Sequence, residues 1–496
     1  MDVCRRNFGK CILGALASQA LALPARPKLL VLVVLEQFRA EYLDIAWPRL
    51  GARGLRTLIE NGAYFPDCRH LASSFPASSI ATLATGAWPA QHGIVADGWF
   101  DRTAKRMVHA SEESLLATTL AAQIAARPNT RIYTVSLAEP HAALFAGTNR
   151  SAIFWMDDRG QFAVRGQEPD WLGEYNGLKP IENLRNAKWL AVDARPDAPA
   201  LRTLTYDPDR PQDFVALYKA SPFGQAAQFE FLGELLTRER LGQADTFDFV
   251  CLLAGSNALL GYETGARSPL IDQMTLQLDR HIAFLLDQLD KAPGIDSYNL
   301  VLAGAHGAPP APSAEARPRM AVNGERLAQA INQRLKESSD GRVEKYVYPF
   351  LYVDASGFRD PEPVRLAAAN AALLEPAVAA FFTAGGACSV HDVWKRRFRN
   401  SFHPARSGDV MLSYKPEYIE DYGSSRGISY GSLYNYDIRV PLCFFGPQFR
   451  AGVFEAPVES VDLAPTLARA SGIELPSSAT GRVLGEAFVD TVESKK

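Results

Sequence analysis

Six side chains in this sequence have the types of acid, base, nucleophile or metal ligand and fall near the ends of apolar runs: Glu36, Ser79, Asp97, His141, His306 and Asp437. Carboxylates and imidazoles exchange protons near neutral pH, a serine hydroxyl attacks once a base takes its proton, and all but the serine can ligate zinc-type ions. In NLVLAGAHGAPP (299–310) a single histidine, His306, follows an apolar strand, and a methyl group, Ala305, precedes it where an acid would make a ligand pair. Each residue also has a plainer role. His306 suits a hydrogen-bonded pocket imidazole, Glu36 a helix-cap or pocket carboxylate, and Ser78 and Ser79 the N-cap of the helix that follows them. Tyr430, Tyr434 and Tyr436 are either packing residues or a stacking platform for a sugar or base.

The elements that must position these groups read as strand–helix–strand units. KLLVLVVLEQF (28–38), TRIYTVSL, SAIFWMDD, DTFDFVCLLAG, SYNLVLAGAHG and DIRVPLCFFGP are apolar, strand-like runs, and LIDQMTLQLDRHIAFLLDQLDK (270–291) is an amphipathic helix between two of them. Continuous apolar strands alternating with helices predict an α/β fold with a doubly wound, mainly parallel sheet. In such sheets ligands bind beyond the carboxyl ends of the strands. That directs attention to Glu36, to 73–79, to Asn257, Ala258 and Tyr262, to Ala305 and His306, and to Tyr430 and Asp437. Residues 157–235 and 311–400 break the alternation and are expected as a cap or loop insertion and an inserted helix–strand–helix subdomain.

The 496 residues, 47% hydrophobic and 22% charged, fit an ordinary globular protein and exclude the disordered and fibrous classes. A net charge of −3 and the lack of long like-charge runs give no support to a nucleic-acid or anionic-membrane partner. The partner expected is a small molecule or a protein. The first 22 residues carry Arg5-Arg6, a short apolar stretch and Ala20-Leu21-Ala22, which predicts a cleaved, twin-arginine-like export signal and a periplasmic or otherwise exported protein. No later run is long enough to span a bilayer. Cys251 and Cys443 lie in apolar runs and read as buried thiols; no cysteine spacing marks a thiolate metal site.

Several segments together resemble the alkaline phosphatase superfamily, in its type I phosphodiesterase/nucleotide pyrophosphatase and threonine-nucleophile periplasmic phosphatase branches. They are EQFRAEYLD, TGAWPAQHGIVADGWFDR, GSNALLGYETGARSP, AGAHG, FHPARSGDVML, ISYGSLYNYDIRVPLCFFGP and VESVDLAPTLARASGIELPSSATGRVL, in the family's order over about 28–487, leaving 488–496 as a tail. The resemblance implies phosphoryl transfer with two zinc-type ions about 4 Å apart, held by three Asp and three His. Carried over position by position, Glu36 replaces the first Asp, His306 survives, and Ala258, Tyr262, Ala305 and Tyr430 stand where Asp, His, Asp and His are implied. The implied nucleophile position falls on Pro76 without a gap or on Ser79 with a three-residue deletion. The implied phosphate-binding Lys and Arg fall on Ala138 and Pro140, and an implied Asn falls on Asp97. Arg406, Asp409 and His92 match family positions outside the metal set and are expected to be structural.

Alanine offers a metal no donor, and a phenol is protonated near neutral pH. Two donors, Glu36 and His306, fall short of a two-metal clamp, so no metal cofactor is expected. The tyrosines read as fillers of the vacated space. Two functions follow as expectations. One is a pseudoenzyme of the phosphatase superfamily kept for binding. The other is a diverged phosphate-ester hydrolase whose site is rebuilt from Ser79, Glu36 and His306 with His141, Asp97 and Asp437.

Overall fold

The computed structural model describes residues 26–313, 315–337, 341–421 and 430–489. The leader read at 1–22 and residues 490–496 of the tail lie outside the described residues. The main sheet contains β1 (Leu29–Leu35), β2 (Ala63–Arg69), β3 (Thr130–Ser136), β4 (Ala152–Met156), β5 (Phe162–Arg165), β6 (Phe247–Ala254) and β7 (Tyr298–Gly304). β1 pairs in parallel with β6 on one side and β7 on the other, and β6, β3 and β4 continue the parallel run. This is the doubly wound α/β sheet that the apolar runs predict. Along β1, Leu29, Val31, Val33 and Leu35 enter one core and Leu30, Leu32 and Val34 the other. A strand buried on both faces is apolar at every position, which is why the run has no polar alternation.

Register decides what meets at the sheet edge. Leu35 pairs with Ala254 and with Gly304, so the residues that follow, Glu36, Gly255 and Ala305, emerge side by side. The segment 157–235 is partly ordinary layer structure. Its helix Pro222–Arg238 lies against β6 and packs on the helix Pro269–Leu289, burying Phe229, Phe231 and Leu232. The unit expected at 311–400 is a second, four-stranded antiparallel sheet: β8 (Arg342–Val347), β9 (Phe350–Asp354), β10 (Val378–Thr383) and β11 (Val410–Tyr414). β11 lies beyond residue 400 and yet sits inside this sheet, paired with both β9 and β10. The main sheet is completed by β12 (Arg439–Phe445), antiparallel to β7 and to β2, and by β13 (Gly452–Val453) and β14 (Val458–Glu459) beside β2. The thiols of Cys68, Cys251, Cys388 and Cys443 are free, and all but Cys388 are buried. No helix among the described residues is long and apolar enough to cross a membrane.

Candidate functional site at the strand ends

Glu36 follows the end of β1 and is buried where three elements meet. Its Oε2 stands 3.2 Å from Nδ1 of His141, which lies on the helix Glu139–Ala146 that follows β3. Behind it the chain at Gly255 comes so close that a Cβ there would lie 3.3 Å from Glu36 Oε1. Burial alone would raise the Glu36 carboxyl, but the charge and hydrogen bond of His141, with His306 further off, hold it below its usual value. The same contact works in reverse on His141. Burial disfavours its protonation, yet Glu36 and then Asp97 raise it above the ordinary imidazole value.

His306 is fully buried. Its Nδ1 lies 2.8 Å from the carbonyl of Gly307, and a carbonyl only accepts, so Nδ1 carries the proton and Nε2 presents a lone pair. Burial pushes this imidazole down to about 4, so it is neutral at ordinary pH. Nε2 has no hydrogen-bond partner. Tyr430 presents to the ring at 5.2 Å between centroids, edge to face, and stacks in turn on Tyr262 at 6.1 Å. Ala266 and Ala308 close the apolar floor beneath the two tyrosines. Ala305 is buried in the main core, and Ala258 opens the buried side of the helix Ser256–Thr264 next to Asn257.

The serine segment departs from the expected N-cap. The helix Pro76–Thr85 has Phe75 at its cap position, so Ser78 and Ser79 lie inside the first turn, both wholly buried. Asp97 does the capping from twenty residues away, its Oδ1 accepting the Ala77 N–H at 2.8 Å. A carboxylate accepts a free helical N–H and favours the positive end of the helix dipole, which removes the need for a local hydroxyl. Ser78 Oγ donates to the carbonyls of Ser73 and Phe75. Ser79 Oγ has no hydrogen-bond partner, so no base is in place to take its proton. Pro76 is the first helical residue and brings no hydroxyl at all. The Asp97 carboxyl is raised, by the crowding of its surroundings first, against the Ala77 N–H that lowers it.

Sequence reasoning missed Gln37 and Arg39. Gln37 follows Glu36 with φ +53°, a left-handed conformation that costs a residue with a Cβ roughly 1–2 kcal/mol. It is 1% exposed, and neither its carboxamide oxygen nor its nitrogen has a partner. Asn257 donates from Nδ2 to the Gln37 carbonyl at 2.7 Å, which leaves its own Oδ1 unpartnered. Asp437 accepts the Ser432 N–H on Oδ2, while Oδ1 stays unpartnered, and burial raises this carboxyl to about 7. The signal for Gln37 was in view: a second polar residue directly after the acid that ends β1.

The residues expected to be structural make dense hydrogen-bond sets. His92 accepts the Ile94 N–H on Nδ1 and donates from Nε2 to Thr82 Oγ1, whose own proton goes to the Ser78 carbonyl. Arg406 donates to the carbonyls of Gly93 and Ser114 and lies over the Trp99 ring. Asp409 accepts from Arg102, Arg365 and the Val353 N–H. Tyr434 stacks on Tyr436 and meets Trp394 edge-on.

Two-metal chemistry needs about three protein ligands per ion. Among the described residues, no three His, Cys, Asp or Glu side chains stand together as a metal cradle. The free imidazole lone pair of His306 has beside it a carboxylate already engaged with His141. The donor set does not fit a pair of zinc-type ions.

Comparison with known proteins gives this geometry its context. The profile described as type I phosphodiesterase / nucleotide pyrophosphatase matches residues 30–427. Alkaline phosphatase PafA of Elizabethkingia meningoseptica is 24% identical over 539 residues, covering 95% of this chain and 96% of that protein. Alkaline phosphatase PhoV of Synechococcus elongatus is 25% identical, covering 93% and 92%. The crystal structure of PafA superposes with a TM-score of 0.79 at 23% identity, over 94% of this chain and 100% of that one, and so shares the fold. With most of its length matched by that profile, the chain belongs to the type I phosphodiesterase/nucleotide pyrophosphatase family of the alkaline phosphatase superfamily.

Proposed function

We propose that this protein is a member of the family that does not run two-metal phosphoryl transfer and instead holds a ligand in the recess at the strand ends. One observation carries the reading. Where the resemblance implies four metal donors, the chain has Ala258, Tyr262, Ala305 and Tyr430, and the two tyrosines pack together against the surviving His306. Fold does not dictate activity; the site does. The test pairs elemental analysis of the purified chain with turnover of aryl phosphate mono- and diesters. The expected result is metal well below one ion per chain and no turnover above that of Ser79→Ala. Tightly held ions, with turnover abolished by Ser79→Ala, would end the reading.

A second reading has its own support: a metal-independent hydrolase built on Glu36 and His141. His141 is about a quarter exposed, and its carboxylate partner favours the protonated imidazole, as a general acid requires. This reading requires turnover that persists in a chelator and disappears in His141→Gln. Export to the periplasm rests on the leader alone. Replacing Arg5-Arg6 by Lys-Lys should retain the protein in the cytoplasm if the twin-arginine route is used.

A further inference from the structure

The segment 157–235 encloses a cavity of about 300 Å³ beside β5, the outermost strand of the main sheet. β5 lies four strands from β1, roughly 19 Å at about 4.8 Å per strand, so this cavity is remote from Glu36 and His306. Its walls come from β5 (Phe162), the helix Leu172–Leu178 (Tyr175), the helix Pro211–Lys219 (Tyr218) and the start of the helix Pro222–Arg238 (Phe223 and Ala227). Hydrogen bonds fix these elements in place. Asn176 accepts the Phe162 N–H on Oδ1 at 3.0 Å and donates from Nδ2 to the Phe162 carbonyl at 2.9 Å, which pins the first helix to the edge strand. Lys219 donates to the Met156 carbonyl at 2.8 Å and pins the second. On the solvent side Lys179 pairs with Glu230, both side chains about half exposed. The fold itself therefore shapes the cavity before any ligand arrives.

The groups facing this cavity identify the ligand chemistry. Tyr175 and Tyr218 both line it and are only 7% and 5% exposed. Neither phenol hydroxyl has a hydrogen-bond partner among the described residues, and both oxygens keep accessible surface. Burial first and Glu230 next raise both phenols above their ordinary value, so both stay protonated and offer O–H donors. The two charges in the wall, Lys179 and Glu230, already answer each other, and a charged ligand would have to break that pair. A neutral ligand leaves it intact. A carbonyl oxygen accepts from a phenol and brings no second donor that needs a partner. The rings of Phe162 and Phe223 supply the edges and faces against which a flat aromatic frame packs. A volume of about 300 Å³ is at the small end of ligand sites, which limits that frame to one or two rings. We propose that this cavity binds a neutral aromatic carbonyl compound of one or two rings, at a site separate from the strand ends.

The test uses the full mature chain in calorimetric titrations and thermal melts with three probes: 2-acetonaphthone, 2-ethylnaphthalene, which lacks only the carbonyl, and 2-naphthoate, which is charged. The ketone should bind at one per chain and raise Tm, and the other two should bind at least about tenfold more weakly. Tyr175→Phe and Tyr218→Phe each delete one hydroxyl and break no hydrogen bond within the protein. Each should weaken the ketone about two- to tenfold, while the ligand-free Tm and the binding of the hydrocarbon stay as they are. If neither tyrosine variant folds, Ala227→Phe, which plugs the cavity from its partly exposed side, must abolish ketone binding. Zinc content and phosphatase turnover report on the strand ends and leave this result untouched. The proposal falls if the ketone does not bind, if the hydrocarbon or the naphthoate binds as tightly, or if the ketone binds the variants as it binds the parent.

Discussion

Two buried histidines of the same fold have opposite fates. His92 sits at a junction where both ring nitrogens are bonded and where the nearby Asp409 accepts from three donors. His306 sits at the strand ends with one nitrogen bonded and the other bare, next to a glutamine amide with no partner at all. In the first region both His92 nitrogens and the Asp409 carboxylate are bonded, and Asp409 ties the second sheet to Arg102 of the main body. The second region is left unsatisfied, and folding alone gives no reason to keep it so. The contrast sets a histidine whose two ring nitrogens are both bonded against one that keeps a lone pair unused.

The largest expected effect is at Asp409. Asp409→Ala leaves Arg102 and Arg365 facing each other without their carboxylate, and should cost about 3–5 kcal/mol in urea unfolding. A loss below about 1 kcal/mol would erase the contrast. His92→Phe comes next. It orphans the Ile94 N–H and should cost about 1–3 kcal/mol. On the other side of the comparison, Asp437 is raised from 3.8 to about 7 by burial. Between those values the folded chain binds one more proton than the unfolded chain, so stability falls as pH rises across that window. The slope is at most about 1.4 kcal/mol per pH unit, and Asp437→Asn should flatten it. The smallest effect has the opposite sign to the first two. Gln37→Gly relieves the left-handed backbone and removes the orphaned amide, and should leave stability unchanged or raise it by about 1 kcal/mol. Destabilisation by this last change would mean that the amide supports the fold and the two regions are alike.

Much of the frame was legible because burial on both faces leaves a plain mark. The run at 29–35 has no polar alternation, and its end points to Glu36 at the sheet's working edge. That Ala258 and Ala305 carry no donor could be read directly, since an absent side chain needs no geometry. The Glu36–His141 contact could not be assigned from spacing: the two residues come from different strand–helix units, and only the parallel register brings them together. The N-cap was misplaced because capping here is supplied across twenty residues by Asp97, where local rules look one turn ahead. The 157–235 segment read as a cap because its Pro- and Asp-rich first part hides the plain layer helix Pro222–Arg238. Gln37 was passed over because an orphaned amide is a property of surroundings, and no residue string states what surrounds it.

The pairing of β2 has a consequence for how the chain is made. Its three sheet neighbours, Arg439–Phe445, Gly452–Val453 and Val458–Glu459, are all synthesised more than 350 residues after it. During translation this early strand waits with its edges open until the last part of the protein leaves the ribosome, so the sheet closes only once the chain is almost complete. A product truncated before residue 439 would carry the bare edges of β2 and β7 together, and aggregation of such fragments is the expected outcome.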